Sequence, residues 1–174
     1  TPYPTLFPYT TLFRSSTSIR NNIVLGRGSA TDPELEEIIR IAGLTKDMAR
    51  FPEGLETLIG ERGVSLSGGQ KQRVALARAL IKKPEVLILD DAFSNLDSDT
   101  EEEILRNIKR QLSQTTTLII SHRLSAVRDA DRIIVMDAGK ILEQGNHASL
   151  TRAGGVYASL FQNQSLAREM EIFL

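Results

Sequence analysis

Cysteine is absent from the 174 residues, which rules out a disulfide framework and any thiolate metal site. A basic excess is also missing. Lys and Arg number 21 against 22 Asp and Glu, for a formal net charge of −1, whereas surfaces that track nucleic-acid phosphates carry a clear positive surplus. No nucleic-acid partner is expected. Long apolar runs are lacking too: VLIL at 86–89, LII at 118–120 and IIVM at 133–136 fall far short of the roughly 20 residues that cross a bilayer. The chain as given is expected to be soluble. Its composition, 41% apolar and 25% charged, is that of an ordinary globular protein, and its length suits one domain, or a piece of one, with a real core. It has no internal repeat, low-complexity tract or heptad seam.

The first fifteen residues, TPYPTLFPYTTLFRS, lack the basic start and continuous apolar stretch of a secretory signal. TLFPYTTLFRS, from Thr5 to Ser15, resembles the in-frame translation of a sequencing-library adapter. Residues 1–15 are therefore set aside as non-native, and the native sequence is expected to begin near Ser16.

From there the elements can be placed. Thr31, Asp32, Pro33 and Glu34 carry the marks of a helix start: a capping hydroxyl, Pro in the first turn and Glu three residues after the cap. Leu35, Ile38, Ile39 and Ile41 supply that helix with an apolar face. A second helix is predicted from about Gly69 to Lys82, with Val74, Ala77 and Ile81 at helical spacing and Pro84 beyond its end. VLILD, four consecutive apolar residues and an acid, reads as a strand buried on both faces. SDTEEEILRNIKRQL reads as a surface helix, acidic at its start and basic later, which complements its dipole. TTLIIS is a further buried strand, RLSAVRDA a short helix, and RIIVMDAGKILEQ a hairpin turning near Gly139. The segment from about Gly155 to Leu174 reads as an amphipathic helix. Strand and helix alternate, so the fold class is α/β with a parallel sheet.

Two acids, Asp90 and Asp91, end the VLIL strand. A parallel strand delivers such residues to the carboxyl edge of its sheet, where open α/β folds bind ligands. Burying two charges there is costly unless a partner such as a Mg²⁺-nucleotide meets them; the bland alternative is a pair that caps the turn running to Asp97. Ahead of the second helix stands Leu66-Ser67-Gly68-Gly69-Gln70. Its glycines permit close backbone approach, and Ser67 with the free N–H groups of the helix start makes an anion site.

LSGGQKQR, ARAL, the strand-end acids, SNLD and SHR resemble, in order and spacing, the ATP-binding cassette ATPases over roughly 16–164. The resemblance implies the C-terminal part of a P-loop NTPase-like cassette: parallel strands with flanking helices, a helical signature subdomain and a C-terminal β-hairpin. It places the helical part at about 30–83, the strand core at 84–146 and a tail at 165–174. It also implies ATP and Mg²⁺ as cofactors. Ser67, Gly68, Gly69 and Gln70 would be the signature that reaches the γ-phosphate held by a partner cassette. Asp90 would serve the metal, Asp91 would stand at the catalytic base position, Asp97 would be an acid at the dimer interface, and His122 would be the switch histidine. His147, without metal-ligand neighbours, reads as structural. SIRNNIVLG, ETLIGERG and QGNHASL resemble the flanks of exporter cassettes, so a transmembrane domain is expected upstream and the parent protein at the cytoplasmic face of the cell membrane.

Two departures from that family matter. No G-x-x-x-x-G-K-[ST] phosphate cradle occurs anywhere in the sequence, so the chain alone is expected neither to bind ATP tightly nor to hydrolyse it. The base position, commonly Glu, is Asp91, shorter by one methylene. Misplacement by about 1 Å can cost about a hundredfold in rate, so a slow site is expected. The intact LSGGQ would complete the site of a second, Glu-bearing subunit in a heterodimer. The alternatives are a homodimer that tolerates Asp and a non-catalytic interaction cassette.

Overall fold

The computed structural model describes residues 16–25, 27–60, 63–112 and 114–172. The adapter-like stretch at 1–15 lies outside the described residues. The chain divides into two compact units, Thr1–Ile120 and Ser121–Leu174.

In the first unit a two-residue strand β1 (Thr17–Ser18) leads into helix α1 (Ile19–Val24), whose cap is Ser18 accepting from the Asn21 N–H at 3.2 Å. Helix α2 (Asp32–Ile41) starts where its sequence signals place it. There the Glu34 carboxylate reaches back to accept from the Thr31 N–H at 3.1 Å. A short helix α3 (Thr45–Met48), a 3-10 turn at Gly54–Glu56 and strand β2 (Leu58–Ile59), antiparallel to β1, follow. Helix α4 (Gly68–Leu80) then runs through the unit's core: Val74 and Ala77 are fully buried, and Ile81 just past its end is nearly so. Arg78 of α4 is buried against α1. Its Nε donates to the Asn22 carbonyl and its Nη2 to Asn22 Oδ1, both at 2.7 Å. Burial pushes the pKa of this guanidinium below its ordinary value, because charge is disfavoured away from water.

Strand β3 (Val86–Asp90) pairs in parallel with β4 (Thr116–Ile120), from Val86 opposite Thr116 to Asp90 opposite Ile120. Helix α5 (Ser98–Gln111) makes the crossover between them. The parallel pair is as expected, but burial on both faces is not. Leu87 and Leu89 are buried while Val86, Ile88, Leu118 and Ile120 are exposed. Successive strand side chains point to opposite faces, and among the described residues only one face is covered. The crossover helix lies at the surface as expected and buries one stripe, Glu101, Ile104 and Ile108.

The second unit holds helix α6 (Leu124–Val127), the antiparallel hairpin of β5 (Ile133–Asp137) and β6 (Lys140–Gly145), and helices α7 (His147–Ala153) and α8 (Val156–Ile172). The hairpin turns on Ala138 and Gly139, with φ of 46° and 75°, the tight two-residue geometry that matches strand twist. Leu124, Ile133, Leu150 and Tyr157 form its core, with Phe161 packed against them. His147 is tied into this core by Nδ1, 2.9 Å from the Tyr157 hydroxyl, and by edge contacts to Tyr157 and Phe161, which is the structural role expected of it. Helix α8 is not the amphipathic helix expected. Tyr157 and Ala158 are buried, but Val156, Leu160 and Leu166 are exposed, so its apolar residues do not gather on one face.

Candidate functional site

Leu66-Ser67-Gly68-Gly69-Gln70 becomes the N-terminus of α4 because Ser67 and Gln70 satisfy each other's backbone. Ser67 Oγ accepts from the Gln70 N–H at 3.2 Å, and Gln70 Oε1 accepts from the Ser67 N–H at 2.9 Å. This reciprocal cap leaves the N–H groups of Gly68 and Gly69, in the first turn of α4, without intrahelical partners. Ser67 still has its hydroxyl hydrogen to donate. Ser67 and Gly68 are exposed, so this end of the helix opens outward.

The turn lines an open cleft of about 490 Å³ together with Asp47, Arg50, Arg73, Asn95, Leu96 and Asp97. Five expected site residues, Ser67 to Gln70 and Asp97, therefore share one cleft. What draws the 94–97 segment to α4 is Gln72, whose amide donates to Ser94 Oγ at 2.8 Å and accepts from the Asn95 N–H at 3.0 Å. A Cβ on Gly69 would lie 2.8 Å from the Asn95 carbonyl oxygen. The close approach this glycine permits is thus made by the protein's own loop. Asp97 caps α5 by accepting from the Thr100 N–H and Oγ1, each at 2.9 Å. These bonds hold its carboxyl below the usual range, with the Arg73 charge a lesser cause.

Asp90 and Asp91 stand at the carboxyl end of β3, but both are exposed, so the costly burial that the sequence suggested does not arise. Asp90 continues the exposed row of Val86 and Ile88. Asp91 leaves the strand in the left-handed region, φ 47°, which Asp tolerates better than most residues. Its N–H donates to the Ile120 carbonyl at 2.9 Å. Among the described residues no three His, Cys, Asp or Glu converge as a metal cage. A strand-end carboxylate instead suits an ion such as Mg²⁺, which keeps most of its shell as water and phosphate oxygens. The donor set fits a metal that arrives with a nucleotide.

His122, exposed, belongs to the second unit. The Gln164 side chain pins its backbone: Nε2 donates to the His122 carbonyl at 2.8 Å while Oε1 accepts from the Leu124 N–H at 3.0 Å.

Sequence reasoning missed Asp47, Gln72, Arg73 and Gln164. Gln72 and Arg73 stand two and three residues past Gln70, so helical periodicity offers a weak hint. Asp47 and Gln164 act across 23 and 40 residues or more, which no local pattern signals.

The sequence profile of the family described as ABC transporter matches residues 4–94. Among curated proteins, the chain is 48% identical over 151 residues to the Bacillus subtilis "Probable multidrug resistance ABC transporter ATP-binding/permease protein YheI", covering 87% of this chain and 26% of that protein. It is 48% identical over 162 residues to the Escherichia coli "Multidrug resistance-like ATP-binding protein MdlA", covering 92% and 27%. A solved bacterial Atm1-family ABC exporter with ATP bound superposes with a TM-score of 0.81 at 43% identity, over 87% of this chain and 27% of that one. The chain thus spans about a quarter of the length of the relatives it matches. No helix among the described residues is long and apolar enough to cross a membrane. Since the matched profile covers the LSGGQ turn and both strand-end acids, and the likeness in fold extends well beyond them, this chain is part of an ATP-binding domain of the ABC transporter family, related to multidrug exporters.

Proposed function

We propose that the protein to which this chain belongs is an exporter subunit that couples ATP binding and hydrolysis to transport across a membrane, with the chain on its cytoplasmic side. The observation that carries this reading is the cleft at the start of α4, where the outward N–H groups of Gly68 and Gly69, Ser67 Oγ, Arg73 and the Asn95–Asp97 segment meet. Such a helix start receives the oxygens of a phosphate. In this proposal the phosphate is the γ-phosphate of ATP held by a second ABC subunit. Asp90 takes part in holding Mg²⁺, which when bound neutralises charge on the phosphates. Asp91 orients the attacking water of the chain's own nucleotide position, and His122 takes the part of the switch histidine. Asp97, held ionised by Thr100, stands at the subunit interface.

Asp91 makes the chain's own catalytic position weak. A carboxylate one methylene short holds water less well, and about 1 Å of misplacement is worth about a hundredfold. The partner is proposed to be a different subunit bearing Glu, whose competent site this chain's LSGGQ turn completes. In the full-length protein with its partner's own base residue inactivated, Asp91→Glu is expected to raise ATP turnover by at least tenfold. Unchanged turnover, with the full-length protein alone already a fully active homodimer, refutes the weak-site reading.

A further inference from the structure

Asp47 is a carboxylate buried to 7% exposure in a short helix far in sequence from the LSGGQ turn. It does not approach the cleft as a free anion. Its Oδ1 accepts from Gln70 Nε2 at 2.9 Å, and its Oδ2 accepts from Arg73 Nη2 at 2.7 Å. Both donors stand on the first turns of α4. The Gln70 amide is thereby used at both ends, donating to Asp47 and accepting from the Ser67 N–H at 2.9 Å. An amide has two nearly isosteric orientations. Only the one with its nitrogen on Asp47 leaves its oxygen free to cap Ser67, so the buried anion selects the orientation that closes the cap. The same carboxylate also forms an ion pair with Arg73, whose side chain is 13% exposed.

We propose that Asp47 is a positioning residue for phosphate capture. Acting through Gln70, it sets the Ser67-Gly68-Gly69 turn in the geometry that receives the γ-phosphate of the partner subunit's nucleotide. This inference rests on the reading of that turn given under Proposed function and extends it to Asp47, which lines the same cleft without a donor of its own for phosphate. Hydrogen bonds to a buried charge are among the stronger ones, so the linkage is stiff enough to matter.

The test is a double-mutant cycle in the full-length protein with its partner, read by the ATP concentration at half-maximal turnover and, separately, by thermal melting without nucleotide. Asp47→Ala is expected to raise the half-maximal ATP concentration about tenfold, equivalent to about 1.4 kcal/mol. In a Gln70→Ala background the same change is expected to add less than twofold, because the residue acts through Gln70. Asp47→Asn removes the charge and the ion pair, and its own amide can present either end to Gln70, so it no longer selects that orientation. It is expected to raise the value about threefold and serves as the test if Asp47→Ala does not fold, unchanged ATP dependence there overturning the proposal. An equal tenfold effect with and without Gln70, or a lowered melting temperature with unchanged ATP dependence, overturns the proposal in favour of a purely structural tether. Ser67→Ala distinguishes the two levels: if it weakens ATP dependence while Asp47→Ala does not, only the positioning role falls. If Ser67→Ala is also silent, the phosphate-capture reading falls with it.

Discussion

Gly69 shows how one missing side chain decides a local arrangement. A methyl group there meets a backbone carbonyl, that of Asn95, at 2.8 Å, and backbone cannot rotate aside as a flexible side chain would. Gly69→Ala is therefore expected to push the 94–97 segment away from α4 and to cost about 1–3 kcal/mol, the usual range for overpacking, seen as a lower urea midpoint. That the turn caps a helix was legible in the sequence, because Ser67 and Gln70 stand three residues apart in a recognised local pattern. That its glycine accommodates Asn95 was not, because the neighbour arrives from 26 residues away. A second residue-scale effect is electrostatic. Lys83 first, then Arg27 and the Thr31 N–H, hold the Glu34 carboxyl well below the usual range. A depressed folded-state pKa contributes stability above the unfolded value of about 4.3, and that contribution is lost as pH falls below it. The group is solvent-facing, so the effect is modest and salt-sensitive. Glu34→Gln is expected to flatten the decline of the urea midpoint between about pH 5 and pH 3, most visibly at low salt.

At the scale of elements, β3 and β4 separate what a run of apolar residues says from what covers it. Four consecutive apolar residues allowed a strand buried on both faces; the first unit buries Leu87 and Leu89 and leaves Val86 and Ile88 exposed. In the 174-residue chain, Leu89→Ala is expected to cost about 2–5 kcal/mol through the cavity it opens. Ile88→Ser is expected to stay within about 0.5 kcal/mol. Equal losses at the two positions in chemical unfolding would show that the outer face is covered after all. Helices α2 and α4 and the β5–β6 hairpin were legible because caps, periodicity and a two-residue turn are codes of a few adjacent residues. The burial of Glu101 in α5 and the scattered apolar residues of α8 were not, because each depends on what another element presents.

For the molecule as a whole, the family resemblance proposes what the chain contributes to a nucleotide site: a phosphate-receiving turn, strand-end acids and a histidine. A G-x-x-x-x-G-K-[ST] cradle is not among its 174 residues. The purified chain is therefore expected to show no calorimetric heat of ATP binding at micromolar concentrations, with or without Mg²⁺; micromolar binding would mean that the cleft holds nucleotide unaided. By itself the sequence determined the family, the order of elements and the identity of the turn, since these rest on residue types at short, fixed separations. Only the tertiary structure decided that Asp47 and Arg73 stand behind the turn, that Gln72 draws the Asn95–Asp97 segment to it, and that one sheet face is covered. Those outcomes depend on which surfaces meet after the chain has folded, and no window of neighbouring residues contains that information.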